Sequence, residues 1–431
     1  MVQRTLPRLF EDSVRSYPEN ILLWEKRGEK YQSQTYRQTR ERVRAFGAGL
    51  MALGLNKGDR AALISEGRND WVMSELGILF AGAVNVPISV RVEELSDLKF
   101  RLAHAGCRLV VVSQNQVRKI RQIKKDLPDL ERTIVLDRPN AFESDELYAG
   151  DVLDKGREYL RDREAEFEAR WQSVNEGDHA NICYTSGTTA DPKGIILTHR
   201  NYTSNIEQSL SLVSCREDFV LHLILPWDHA FGHTCGIYTM MSRGAALASV
   251  QLGATALETL KNVPLNIKEI RPHVLLSVPS LAKNFRKGIE KAIRSKGPKV
   301  DKLFRRALKL AYAYNREGWN RGGGLQALKK PLYSVYDKLL FSKVRKNFGG
   351  RLEFFVGGGA LLDIELQRFF YAIGIPMFQG YGLTEAAPVI SANSGQAHKL
   401  GSSGRVAASI NLEICDDRGR ALPAEQTGEI V

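Results

Sequence analysis

Residues 184–194 read Tyr184-Thr185-Ser186-Gly187-Thr188-Thr189-Ala190-Asp191-Pro192-Lys193-Gly194. The apolar run Ala180 to Tyr184 leads into this segment and reads as a strand. Four hydroxyl side chains surround one glycine, and a lysine follows. Small residues let backbone N–H groups approach an anion, hydroxyls donate further hydrogen bonds, and the ammonium adds charge. That combination specifies a polyphosphate cradle. The bland alternative is a polar turn, but turns rarely carry so many hydroxyls. A Walker loop needs Gly-Lys followed by Ser or Thr. Here the order is Lys193-Gly194-Ile195, which excludes it.

Working outward, the flanking sequence alternates strand and helix signals. Tyr36 to Leu53 reads as a helix ending at Gly54, and Arg60 to Ser65 as a buried strand. Helix Trp71 to Ala81, strand Val84 to Val90, helix Leu95 to Ala105 and strand Arg108 to Ser113 follow. Asp137 to Trp171 is weakly patterned and reads as surface connections and short helices. A second series runs from Phe219 to Ile373, with strands near 219–225, 245–249, 274–278 and 351–356. Helices of ten to fifteen residues between strands imply parallel sheets covered on both faces. The expected class is α/β: two doubly wound parallel-sheet lobes plus a small β subdomain. The expected division is 1–205 for a first lobe with the phosphate loop, 206–375 for a second lobe with a basic helical insertion, and 376–431 for the β subdomain. The final Gly428-Glu429-Ile430-Val431 reads as the middle of a strand rather than a natural terminus.

Three more segments carry chemical signals. Gln379-Gly380-Tyr381-Gly382-Leu383-Thr384-Glu385 combines glycines that admit a ligand, an aromatic face for a base, and a carboxylate. Gly357-Gly358-Gly359-Ala360 follows a predicted strand and precedes a helix. It lacks the full G-x-G-x-x-G pattern, because Leu362 occupies the last position. Leu225 to His233 (LPWDHAFGH) holds two histidines four apart. A metal there is disfavoured, since Pro226 and Gly232 interrupt any continuous helix and no third ligand is evident. A satisfied structural role suits His233.

These segments, in this order, resemble the signatures of the adenylate-forming superfamily: acyl- and aryl-CoA synthetases, firefly-type luciferases and peptide-synthetase adenylation domains. The similarity spans roughly Phe10 to Val431. One departure is Ala190, where the family pattern has glycine; a Cβ there restricts the loop. The resemblance implies nucleotide binding by Thr185, Ser186, Gly187, Thr188, Thr189, Lys193, Gly357, Gly358, Gly359, Ala360, Gln379, Gly380, Tyr381, Gly382 and Thr384. It implies catalytic roles for Thr384, Glu385 and Lys193, Mg²⁺ on Glu385, and an acyl pocket formed by Trp227, His229 and Phe231. It implies the fold of the large N-terminal domain of such enzymes. The implied reaction joins a fatty acid to AMP from ATP and then to coenzyme A, as in long-chain fatty acid–CoA ligases. Turnover is expected to be impaired without the C-terminal part and its lysine. A fatty acyl-AMP ligase serving a carrier protein and a nucleotide-binding module without turnover are the alternatives.

Composition sets the outer bounds. The 431 residues are 43% hydrophobic and 26% charged, an ordinary globular balance. The five cysteines are scattered without a CxxC pair, which fits a reducing cytoplasm. The first twenty residues lack the apolar core of a signal peptide. No apolar run reaches the ~20 residues that span a bilayer. The net charge is +12, and Lys283 to Lys309 is densely basic with interleaved apolar residues. Such a stretch suits peripheral contact with an anionic membrane at its inner face, each basic residue there contributing about 1 kcal/mol. A solvated helical face is the competing reading. Nucleic acid is disfavoured, because aromatics such as Tyr312 and Tyr314 are few.

Overall fold

The computed structural model describes residues 4–138, 141–185 and 191–431. Two mixed, mainly parallel sheets dominate the described residues. In the smaller sheet the order is Glu146–Tyr148, Arg132–Val135, Cys107–Val112, Arg60–Ile64, Val84–Pro87, His179–Thr185 and Lys193–Thr198. All pairs are parallel except the last, where Thr185 lies opposite Lys193. In the larger sheet, Met377–Gly382, Phe354–Gly357, Val274–Ser277, Val220–His222, Ala246–Ala248 and Ile21–Arg27 form a parallel centre. Antiparallel strands close its edges: Val389–Ala392 and Arg405–Val406 on one side, Lys30–Thr35 on the other.

The alternation of side chains along each strand builds five layers. Ala61, Leu63, Leu109 and Val111 face the other sheet, while Ala62, Ile64, Val110 and Val112 face helices Leu95–His104 and Gln114–Ile123. Between the sheets lie helices Tyr36–Ala52, Asn69–Phe80, Ala149–Gln172 and His199–Leu212. The far side of the larger sheet is covered by helices Ala256–Ile270, Pro279–Arg294, Pro298–Asn315 and Ile364–Ala372. The expected α/β class with parallel sheets holds.

Helix Tyr36–Ala52 starts with a reciprocal capping box, Thr35 with Gln38, a contribution of about 1 kcal/mol. It packs against Ala149–Gln172 at backbone distance. A Cβ on Gly156 would lie 1.7 Å from the carbonyl oxygen of Ala45. That long helix replaces the short elements expected over 137–171; its backbone breaks at Arg163 (φ −141°, ψ 37°).

Strand membership departs from divisions at 205 and 375. The hairpin Ile21–Thr35 belongs to the larger sheet through Leu23 opposite Leu247. Met377–Gly382 also belongs there, through Phe355 opposite Met377. A separate β unit beyond 375 is limited to the pair Ile414–Cys415 and Glu429–Ile430. Parallel pairings between distant segments leave no local pattern from which to read a partner. Among the described residues, no helix is long and apolar enough to cross a membrane.

Candidate functional site

A cavity of about 350 Å³ opens at the carboxyl ends of the central strands of the larger sheet. This is where open α/β sheets hold ligands. Its inner wall is the face of three adjacent strands. Phe219 and Leu221, Val274 and Leu276, and Phe354 and Val356 all line it, two residues apart on each chain. The register sets Leu221 beside Val274 and Leu276 beside Val356. The opposite wall comes from Leu212, Val213, Cys235 and Met240. Gly232–Tyr238 is wound with i→i+5 bonds, the amide of Thr239 reaching the carbonyl of Thr234. Such turns recur at functional sites. Thr185, Gly357, Gly358, Gly359, and Gly380 to Glu385 form the polar end of the same cavity.

The polar end is tightly braced. Thr384–Ala386 is a single 3₁₀ turn, and Ala387 follows with φ 71°. Thr234 Oγ1 donates to the Ala387 carbonyl at 2.7 Å. Asn205 Nδ2 donates to the Val389 carbonyl at 2.8 Å, and Asn205 Oδ1 accepts from the Val389 amide at 2.9 Å. A Cβ on Gly382 would sit 2.0 Å from the Pro388 carbonyl oxygen, so only glycine fits. Gln379 is buried, and its side chain is used on the neighbouring backbone. Its Oε1 accepts from the Leu362 amide at 2.8 Å, and its Nε2 donates to the Gly380 carbonyl at 2.7 Å.

Residues 10–431 match the AMP-binding enzyme family. The chain belongs to that family. It is 26% identical over 99% of its length to the long-chain-fatty-acid–[acyl-carrier-protein] ligase AEE15 of Arabidopsis thaliana, covering 62% of that protein. It is 28% identical over 89% of its length to the long-chain-fatty-acid–CoA ligase FadD15 of Mycobacterium bovis, covering 61% of it. The chain thus spans about three fifths of the length of these curated relatives. The anthranilate CoA ligase AuaEII, solved with anthranoyl-AMP, superposes over 100% of this chain and 69% of its own with a TM-score of 0.72 and 19% identity. That likeness concerns the fold.

In this AMP-binding enzyme most of the sequence-derived residues converge. Thr185, His229, Phe231, Gly357, Gly358, Gly359, Gly380, Tyr381, Gly382, Thr384 and Glu385 all line the one cavity. Ser186, Gly187, Thr188 and Thr189 lie outside the described residues. Lys193, itself exposed, begins the strand after the hydroxyl segment, and that strand packs against the Thr384–Ala386 turn. Among the described residues Glu385 is the one carboxylate in the lining. Three residues lie off the cavity lining. Trp227 is buried in the core, its ring 5.9 Å from that of Trp71, and does not line the cavity. Gln379 positions the glycine turn instead of facing the cavity. Ala360 is exposed beyond the lining.

His233 is fully buried, with Nε2 2.9 Å from Glu75 Oε1. The same carboxylate oxygen accepts from Tyr238 Oη at 2.7 Å and Asn85 Nδ2 at 3.1 Å. This is a structural histidine. Among the described residues no cluster of three or more His, Cys, Asp or Glu side chains could hold a metal. The one carboxylate in the cavity lining, Glu385, fits an ion that enters on phosphate oxygens and takes one protein carboxylate, as Mg²⁺ does.

Sequence reading missed the apolar wall and the bracing residues Asn205 and Thr234. The wall was legible as apolar residues two apart on three predicted strands. The bracing pair had no local signal.

Proposed function

We propose that the chain binds ATP and a fatty acid in this one cavity and supports AMP-forming activation of the acid, with coenzyme A as acceptor. One observation carries the reading: an apolar channel along the sheet ends at a polar cluster of glycines, Thr185, Thr384 and Glu385. The channel suits an alkyl chain, and the cluster suits the carboxylate and the nucleotide. The first step brings a carboxylate to a phosphate, so orientation and charge stabilisation dominate the barrier. Tyr381 offers a face to the base, Thr384 a hydroxyl to the reacting oxygens, and Lys193 a positive charge from the strand alongside. Mg²⁺ bound with ATP supplies charge neutralisation, with Glu385 as its protein ligand. Burial of the channel excludes water from the mixed anhydride.

Calorimetry with a hydrolysis-resistant acyl-adenylate mimic tests this. The mimic should bind far more tightly than adenosine or the free fatty acid, and Glu385→Ala should weaken Mg-ATP specifically. Equal affinity for the mimic and for adenosine would overturn the reading. A carrier-protein acceptor is the second reading, favoured by the similarity to an acyl-carrier-protein ligase. Offering both thiols to the full-length protein separates the two.

We also propose that residues 279–346 meet an anionic membrane surface. They hold 19 Lys and Arg against four acids, net +15, whereas the rest of the chain, with 42 against 45, is net −3. Within the same segment Leu325, Leu328, Leu332, Val335 and Leu339 recur at three- and four-residue steps and stay 47–82% exposed. An apolar stripe flanked by Lys329, Lys330 and Lys338 has the character of an interfacial helix. Those lysines would repel one another across a dimer. Flotation with phosphatidylcholine vesicles containing phosphatidylglycerol should carry the protein up; no flotation at low salt ends the idea.

A further inference from the structure

A second cavity, of about 280 Å³, lies at the carboxyl ends of strands in the smaller sheet. Arg27, Arg42, Arg68, Arg138 and Tyr148 line it, together with Asp70 and Asp137. They come from five separate chain segments and from both sheets. Leu136 to Arg138 follow strand Arg132–Val135, and Tyr148 ends strand Glu146–Tyr148.

The four guanidinium groups form two pairs. The inner pair is already neutralised. Asp70 Oδ1 accepts from Arg42 at 2.6 Å and Oδ2 from Arg68 at 3.1 Å, while Asp137 accepts from Arg68 at 2.8 Å. Arg68 Nε remains buried without a partner. The outer pair is exposed and less fully paired. Arg27 forms one loose ion pair, with Glu25 at 3.8 Å. Arg138 lies over the Tyr148 ring, 5.8 Å from its centroid, and pairs with no carboxylate among the described residues.

Helix Ala149–Gln172 begins at this cavity, and Ala149 and Gly150 line it. Among the described residues no side chain caps that end, and its first amides and the positive end of its dipole point to the same place. A Cβ on Gly150 would lie 2.2 Å from the Tyr148 ring, so the close approach of backbone to ring requires glycine.

We propose that this cavity is a binding site for a phosphate dianion, free or carried as a phosphate monoester. Arg138 has no carboxylate partner among the described residues, and Arg27 is held by Glu25 only at 3.8 Å, so both guanidiniums can turn to an anion. Guanidinium groups recognise phosphate through paired, charge-assisted hydrogen bonds. Open α/β sheets hold ligands at the carboxyl ends of their strands. An occupant would tie Arg27 of the larger sheet to Arg138 of the smaller one. The proposal is independent of the reading of the apolar cavity.

The test is calorimetry on the whole chain with inorganic phosphate and, separately, ribose 5-phosphate, against potassium chloride at matched ionic strength. Phosphate should bind, and Arg27→Ala/Arg138→Ala should weaken it by about tenfold or more, with an unchanged circular dichroism spectrum. Lys193→Ala, on the strand beside the other cavity, should leave this binding intact. Tighter binding of the sugar phosphate identifies an ester as the occupant, and equal or weaker binding identifies the free anion. Unchanged phosphate affinity in the double arginine variant, or loss of it in Lys193→Ala, overturns the proposal.

Discussion

The two cavities occupy corresponding places, each at the carboxyl ends of parallel strands, yet their linings are opposite. Among the described residues, the cavity over the larger sheet has an apolar wall and a single carboxylate, Glu385. The cavity over the smaller sheet has four guanidiniums and two carboxylates. Topology supplies the crevice in both; the residues after each strand decide what it can hold. Gly357 and Gly358 at the end of one strand leave room for a ligand beside backbone, whereas Asp137 and Arg138 after another fill the edge with charge. A ligand lying along the apolar cavity gains from desolvation and shape, one in the other from charge pairing.

The most damaging change to this contrast should be Gly382→Ala. Its Cβ would lie 2.0 Å from the Pro388 carbonyl oxygen, and backbone cannot yield as a flexible side chain does. The Thr384–Ala386 turn must shift, displacing Thr384 and Glu385 together. ATP affinity should fall by about a hundredfold or more, comparable to losing an oriented catalytic donor. Phosphate binding at the arginine cavity should not change. Wild-type ATP affinity in Gly382→Ala would break the assignment of that turn to the nucleotide.

A narrower test fills the channel while sparing its polar end. Val356 faces the cavity one residue before Gly357. Val356→Phe should cost about 1–3 kcal/mol of stability through overpacking and sharply weaken binding of a fatty acid, with ATP affinity retained. Equal loss of both ligands would show that the apolar and polar ends do not act as separate subsites.

The first test rests on residues that the sequence marks directly, and the second on an apolar spacing that was present on the predicted strands but was missed. The strand–helix alternation from Tyr36 to Val112 was legible because each element is short, periodic and ended by glycine or a cap. The glycine and Thr-Glu turns were legible because few backbones need such residues. The pairing of Leu23 with Leu247 was not, since a parallel partner can lie anywhere along the chain. Trp227 was misplaced for a related reason. An aromatic beside His229 looks like pocket lining until Trp71, far away in sequence, is seen to cover it. Gln379 has the same ambiguity: a buried amide can face a ligand or brace a turn, and only its partners Leu362 and Gly380 decide. The heptad-like spacing of Leu325 to Leu339 was present but uninformative, because periodicity marks one face of a helix without saying what covers it.

Acid should act unevenly on the two halves. His222 and His398 are buried beside the larger sheet, and burial depresses both to about 4. His199, under Leu6 just after the edge strand of the smaller sheet, is likewise depressed to about 4 by burial, so the smaller sheet carries one such histidine, at its edge, away from its central strands. The unfolded chain holds these imidazoles near 6.5, so between about 6.5 and 4 it binds protons that the folded state refuses. Their contribution is therefore complete above the unfolded value and lost as pH falls toward 4. Amide exchange at matched intrinsic rates should show the strands around His222 losing protection on acidification before strands Arg60–Ile64 and Cys107–Val112. Uniform loss across both sheets would remove the distinction.

The smallest effect on folding should come from Leu328→Glu, outside both cavities. Leu328 is 79% exposed, so the substitution should change stability by no more than about 0.5 kcal/mol. Ligand binding in either cavity should be unchanged. Its consequence should appear only at a surface: a carboxylate in the middle of the stripe places a charge where apolar contact is needed and repels anionic headgroups. Flotation with phosphatidylglycerol vesicles should drop, while Leu328→Met, of similar volume and polarity, should keep it. If Leu328→Glu floats as well as the parent chain, the attraction is carried by the basic helices alone and the stripe has no part in it.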